Sequence, residues 1–278
     1  MHHSKIPKIQ IIIPARYGST RFPGKPLVEI LGIPMVERVW QTTCLVQKKY
    51  PFVNAVVATD DQRIADFCTS KNITYCMTDI SCQSGTERSL QAANMQSEKP
   101  DFVINLQGDN PLCPPWFVEQ MIEKYLENPT VEVISPYVNL TWSDLDTFRT
   151  HKKILHFSGT TVITSTQDKA IWFSKQIIPA IRHEKKLRLT SSISPVKRHI
   201  GLYGYRYDTL VSIQKLPDSH YGTLEGLEQL AFLEAGIEMQ MFCVDYKDRE
   251  GMSGVDSPED LIVAEHIFKK YGEFSQYY

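Results

Sequence analysis

The segment Pro14-Ala15-Arg16-Tyr17-Gly18-Ser19-Thr20-Arg21-Phe22-Pro23-Gly24-Lys25-Pro26-Leu27 follows a short β-branched run, Ile9–Ile13. Arg16, Arg21 and Lys25 place three positive charges within ten residues, and Gly18, Ser19 and Thr20 add backbone N–H groups and hydroxyls. Those are the groups that cradle phosphate. A solvated basic turn has the same composition, and the local residues leave both readings open. The loop is not a P-loop. Five residues separate Gly18 from Gly24, where G-x-x-x-x-G-K-[ST] needs four, and Pro26 stands where a hydroxyl would hold magnesium. Proline also biases Lys25 away from helix, so no helix is expected to start there. The dinucleotide fingerprint G-x-G-x-x-G is absent.

If the loop holds a nucleotide, its metal must be held elsewhere. Magnesium shared with phosphates takes one or two protein carboxylates. Asp109, in Gln107-Gly108-Asp109-Asn110-Pro111, follows the apolar run Phe102–Leu106 and should project from a strand end. Asp256 sits in a glycine-flanked turn before Ser257-Pro258-Glu259-Asp260. A turn aspartate near a helix N-terminus is its other reading.

These residues need a frame. Strand-like runs at 9–13, 53–59, 73–78 and 101–107 alternate with helix-like segments at 35–50, 61–72, 85–96 and 114–128. That alternation predicts βαβ units and a mostly parallel sheet, with ligands at the carboxyl ends of its strands. Pro14-Ala15-Arg16, Thr59-Asp60-Asp61 and Gln107–Pro111 all fall at such ends. From about 137 to 198 the pattern changes. Residues 160–174 alternate like antiparallel strands turning near Gln167-Asp168, and 183–198, polar and basic, reads as a loop. Beyond them, 200–206 and 237–244 read as strands, 224–236 as one helix and 257–272 as a well-capped helix. The expectation is one α/β domain over 1–278 with an excursion at about 139–197, a lid or a dimer contact.

Bulk properties narrow the classes. The 278-residue chain is 42% hydrophobic, enough for a sizeable core, and its net charge of −2 gives no reason to expect nucleic acid or an anionic membrane. The longest apolar stretches are strand length, and the first residues lack a signal-peptide pattern. The six cysteines form no C-x-x-C and suit free thiols in a reducing cytosol.

The segments IIIPARYGSTRFPGKPL, VVATDD, CMT, QSGTERS, NLQGDNP, RHIGLYGYR, LEQL and GVDSPEDL, in this order, resemble the sugar-acid cytidylyltransferases, specifically the CMP-Kdo synthetase (3-deoxy-manno-octulosonate cytidylyltransferase) family. The match runs nearly end to end and is weak over about 139–197. The resemblance implies a nucleotide-diphospho-sugar transferase α/β fold with a small dimerisation excursion, a cytoplasmic homodimer, and transfer of CMP from CTP to an ulosonic acid with release of pyrophosphate. It implies that Arg16, Ser19 and Lys25 contact the triphosphate, and that Met77, Thr78 and Gln107 line the base and sugar region. Asp109 and Asp256 would hold Mg2+, and Arg88, His199, Glu228 and Gln229 would meet the sugar acid. Arg88 suits a bidentate carboxylate contact. Glu225, Glu228 and Gln229, at i, i+3 and i+4, are expected to share a helical face that can hydrogen-bond hydroxyls. For Glu225 an ordinary surface role is the expectation, and His199 could equally be a structural histidine.

Three departures stand out. Asn110 replaces the glutamate of the family's QGDEP, Gly222 replaces a second family glutamate, and Lys175 replaces the arginine of SRxxIP. They touch the sugar and metal side and bear on which sugar is used. Readings beside Kdo are a variant or amino-substituted sugar acid, a glycosyltransferase of similar fold, and a paralogue that only binds nucleotide.

Overall fold

The computed structural model describes residues 6–18, 22–252 and 254–278. The chain divides into two compact units. The first comprises Met1–Pro129, Leu202–Val211 and Tyr246–Tyr278, and the second Thr130–Gly201 and Ser212–Asp245. The excursion expected at about 139–197 lies inside the second.

In the first unit the strand order is Tyr75–Met77, Val53–Thr59, Ile9–Pro14, Phe102–Leu106 and Leu202–Arg206. The first four run parallel and the last is antiparallel to Phe102–Leu106. The sequence dictates this packing. Ile11, Ile12, Ile13, Val57, Phe102, Val103 and Ile104 are fully buried, as strands covered on both faces require. Helices follow the strands and are capped where they begin. Asp61 accepts a hydrogen bond from Arg63 N ahead of Gln62–Ser70, and Ser84 accepts one from Glu87 N ahead of Gly85–Asn94. Pro115 opens Pro115–Glu127, whose Tyr125 ring stacks on Phe102 at 4.1 Å between centroids.

The last helix, Pro258–Tyr271, begins with a capping box between Ser257 and Asp260. Its buried face, Ala264, Ile267 and Phe268, packs with Ile30, Met35, Leu112 and Val255. Val255 N donates to Asp109 O at 2.8 Å, so the turn before the helix is both plugged into the core and tied to the strand-end turn at Asp109. Gly254 takes φ 149° there, a backbone conformation that L side chains rarely adopt.

The second unit is mostly antiparallel. Val133–Thr141 pairs antiparallel with Ile193–His199, which pairs with Thr161–Thr164, which in turn pairs with Ala170–Ser174; Met239–Cys243 joins Val133–Thr141 in parallel. The expected turn near Gln167-Asp168 is there, with Asp168 at φ 54°.

Three expectations are corrected. Residues 183–198 are not a loop but a helix, Glu184–Thr190, and the strand Ile193–His199. The helix buries no residue; Glu184 ties it to Arg149 at 2.8 Å, and Arg188 ties it to Asp146 at 2.6 Å. Residues 224–236 are not one helix. His220–Glu225 ends at Gly226, φ 64°, and Gln229–Glu234 starts anew. A helical turn does begin at Lys25: a single 3-10 turn, Lys25–Leu27, tolerates Pro26 because the first N–H groups of a helix need no internal partner.

Gly204 faces the core, where a Cβ would stand 2.3 Å from Phe102 Cζ and 2.8 Å from Met121 Sδ. Gly204→Ala should therefore destabilise by about 1–3 kcal/mol through overpacking. Urea unfolding of the two proteins measures it; an unchanged midpoint and slope would contradict the packing described.

Candidate active site

Glycine governs the basic loop at its closing end. Gly24 N donates to Tyr17 O at 3.0 Å and closes the loop at its base. Gly24 takes φ 73°, and a Cβ there would meet the Tyr17 ring at 3.0 Å. The same ring is covered on one face by the Arg63 guanidinium, 3.3 Å from its centroid. The backbone at Lys25 is thereby fixed, and its side chain is delivered inward, 10% exposed. Ser19, together with Thr20 and Arg21, lies outside the described residues.

Lys25 Nζ donates to Asp109 Oδ2 at 2.7 Å and to Asp256 Oδ1 at 3.0 Å. The two carboxylate oxygens therefore stand at most 5.7 Å apart, the sum of those distances. Asp109 is delivered by the turn after Phe102–Leu106, in which Asn110 N donates to Gln107 O. Gly108 must be glycine there, because a Cβ would lie 2.5 Å from Pro14 O. Asp256 is delivered by the Val255 plug, while Asp256 N and Ser257 N both donate to Asp260 Oδ2. Asp260 is thus spent on the helix cap, and the Asp256 carboxylate faces Lys25.

A cleft of about 210 Å3 opens over this ion cluster. Its walls include Pro14, Ala15, Arg16, Lys25, Ser84, Gly85, Arg88, Gln107, Gly108, Asp109 and Asp256, all of the first unit. The sheet ends and the N-terminus of Gly85–Asn94 meet there, an environment favourable to anions. Gln107 is steadied by its Nε2, which donates to Asn105 Oδ1 at 3.1 Å. Met77 is exposed and Thr78 buried, and neither is on the cleft wall.

Arg88 is 3% exposed. It donates to Asp60 Oδ2 at 2.6 Å and to the Thr78 hydroxyl. Its guanidinium is thus engaged by a carboxylate of its own chain, at the turn after the second strand. The sequence places Thr59-Asp60-Asp61 at a functional strand end, but nothing local distinguishes Asp60 as the partner of Arg88.

His199, Glu228 and Gln229 belong to the second unit. His199 is buried, its Nε2 lies 2.7 Å from Ser135 Oγ, and its ring meets Phe173 edge-on at 4.9 Å. Burial, with the nearby Lys175 charge, pushes its pKa down to about 3, so the imidazole is neutral near pH 7. Gln229 is buried and Glu228 exposed at the start of their short helix. Glu225, on the preceding helix, is half-buried and accepts from Ser174 Oγ at 2.8 Å and Lys175 N at 2.7 Å. Gly226 separates it from Glu228 and Gln229, so the three do not share one helical face. Nor is Glu225 merely a surface residue, because it holds Lys175 in place.

Among the described residues no group of three or more His, Cys, Asp or Glu forms a self-sufficient metal cage. The donor set at Asp109 and Asp256 nevertheless fits a hard divalent ion shared with phosphates. Two carboxylates converge on one cation, and magnesium takes its remaining oxygens from phosphate and water.

The cytidylyltransferase family model matches residues 10–241. A 3-deoxy-manno-octulosonate cytidylyltransferase of Maricaulis maris is 42% identical over 263 residues, covering 94% of this chain and 97% of that protein. The mitochondrial 3-deoxy-manno-octulosonate cytidylyltransferase of Arabidopsis thaliana is 33% identical over 260 residues, covering 93% and 82%. A solved structure of CMP:2-keto-3-deoxy-manno-octonic acid synthetase complexed with CTP superimposes with a TM-score of 0.80 at 31% identity, covering 95% of this chain and 99% of that one.

The buried histidine gives a signed prediction. Its folded pKa lies below the unfolded value of about 6.5, so the unfolded chain takes up the proton first. The resulting stability is full above about pH 6.5 and is lost as pH falls toward about 3. Urea unfolding at pH 7, 5 and 4 should show a decline that His199→Gln flattens; parallel declines in the two proteins would contradict this assignment.

Proposed function

The chain belongs to the cytidylyltransferase family, and from that premise we propose that it transfers CMP from CTP to an ulosonic acid, Kdo or a close relative. The observation that carries this reading is the convergence of Lys25, Asp109 and Asp256 in one cleft beside Arg16. A nucleoside triphosphate needs that balance. Cationic groups offset the phosphate charge, and two carboxylates anchor a divalent ion on the same phosphates. The names of the relatives and their near full-length coverage support the eight-carbon sugar acid.

The anomeric hydroxyl of the sugar acid attacks the α-phosphorus in line. The new oxygen–phosphorus bond forms as the bond from the α-phosphorus to the bridging oxygen breaks, and pyrophosphate leaves. The chain's work is positioning and charge neutralisation. Arg16 and Lys25 face the leaving pyrophosphate. Asp109 and Asp256 hold Mg2+. When bound, Mg2+ supplies Lewis-acid polarisation of the phosphate and lowers the pKa of the attacking hydroxyl. Gln107, on the cleft wall, reads the base and sugar. His199, Glu228 and Gln229 meet the sugar acid; a neutral, buried imidazole suits hydrogen bonding to hydroxyls. The engagement of Arg88 with Asp60 and Thr78 favours shaping the cleft wall over gripping the sugar carboxylate.

A variant sugar acid is favoured by one observation. Lys175 stands where the family has arginine, and Glu225 fixes its backbone N–H. An ammonium contacts a carboxylate as a point charge where a guanidinium makes a fork. The resemblance supports placing the reaction in the cytoplasm. No described helix is long and apolar enough to cross a membrane. Ile154, Leu155 and Phe157 of the second unit are 76%, 52% and 70% exposed, which supports a homodimer contact there.

With CTP and magnesium, pyrophosphate release should require an ulosonic acid and fall sharply with UTP or ATP. Thermal shifts larger for UTP or ATP than for CTP would overturn the nucleotide assignment. A CTP-specific shift with no turnover on Kdo would redirect the assignment to a variant sugar acid.

Asp109→Asn and Asp256→Asn should each abolish turnover with the fold intact, and the double change should be little worse, because residues acting as a unit are non-additive. Lys25→Ala should cost about 2–4 kcal/mol of transition-state stabilisation. Steady-state kinetics check both; additive losses, or a Lys25→Ala enzyme with unchanged rate and CTP affinity, would contradict them.

A further inference from the structure

Lys25 is asked to do two things that exclude each other. Its ammonium lies at hydrogen-bond distance from the carboxylate oxygens of both Asp109 and Asp256. A divalent ion on the same two carboxylates would place a like charge within a few ångströms of that ammonium in a partly dehydrated cleft, where the repulsion is costly. The two cations are alternative occupants of one seat.

The backbone around Lys25 cannot move the ammonium away. It is set by the 3-10 turn, by Gly24 in the left-handed region and by the Tyr17–Gly24 hydrogen bond. The side chain can, because four rotatable carbons carry the charge. A phosphate in the same cleft offers it a new anionic partner at small conformational cost. We propose that Lys25 is an exchangeable counter-ion. It neutralises Asp109 and Asp256 itself, and it cedes them to the divalent ion only when nucleotide phosphate arrives to receive it. The inference rests on the two-carboxylate metal reading above and adds what that reading does not contain. Free metal binds weakly, metal and triphosphate bind cooperatively, and the chain takes its nucleotide together with the ion.

The consequence runs against the usual effect of deleting an active-site residue. Removing the Lys25 charge should tighten the binding of free metal while weakening the binding of nucleotide. The test is equilibrium binding of Mn2+ to the full chain without nucleotide, read from the free-ion paramagnetic resonance signal. Wild type, Lys25→Met, Lys25→Arg, Asp109→Asn and Asp256→Asn are compared. Lys25→Met should bind Mn2+ at least about 5-fold more tightly than wild type, the low end of ordinary site–site coupling. Its unfolding midpoint should rise more on adding Mn2+ than that of wild type, which also shows that it is folded. Lys25→Arg, which keeps the charge, should bind Mn2+ as weakly as wild type. The gain in Mn2+ binding on adding CTP, beyond Mn2+–CTP association in solution, should be smaller in Lys25→Met than in wild type. Equal or weaker Mn2+ binding by Lys25→Met, with both aspartate variants still losing Mn2+, would overturn the exchange and leave the metal site standing. With CTP present, Mn2+ binding by the aspartate variants as tight as that of wild type would overturn the metal site itself and the exchange with it.

Discussion

One ammonium held between two carboxylates is the constraint around which the first unit is built. Lys25, Asp109 and Asp256 come from three distant places in the chain, Lys25 and Asp256 being 231 positions apart. Each is delivered by a different device. A glycine-closed loop and a 3-10 turn aim Lys25, a turn that admits only glycine at position 108 aims Asp109, and a buried valine before a capped helix aims Asp256. The hydrogen bond from Val255 N to Asp109 O joins the backbones of the last two turns. Charges brought this close are tolerable only if each is partnered. The arrangement is therefore self-consistent as it stands and ready to accept other ions of the same signs.

The second unit solves a different problem with the same economy of groups. His199 is kept neutral by burial against Ser135 and Phe173, in the neighbourhood of a lysine. Glu225 fixes the backbone at Lys175. Transfer between a triphosphate and a sugar hydroxyl asks little covalent work of a protein. Placement and charge supply most of the rate.

Much of this was legible in the residues. Parallel strands buried on both faces read as unbroken apolar runs, and four helices of the first unit carry their own start signals: Asp61, Ser84, Pro115 and Ser257-Pro258. Strand ends followed directly, and with them Arg16, Gln107 and Asp109. What failed was set by distance or by glycine. Glu184–Thr190 has no apolar stripe and is tied to Arg149 and Asp146, at least 35 positions away. Ile193–His199 is a strand because it has a partner on either side, which local composition cannot show. Gly226 inside a periodic run reads as a tolerated glycine, yet it adopts φ 64° and splits the helix. Arg88 and Asp60 were both visible as charges, but their pairing across 28 positions was not.

The exchange is decided by which cation sits between Asp109 and Asp256 when nucleotide is bound. The direct measurement is anomalous diffraction from a crystal grown with CTP and Mn2+. The predicted result is a manganese peak coordinated by both aspartates and by phosphate oxygens, with Lys25 Nζ moved onto the triphosphate. A manganese peak elsewhere, with Lys25 still held by Asp109 and Asp256 beside bound CTP, would contradict it.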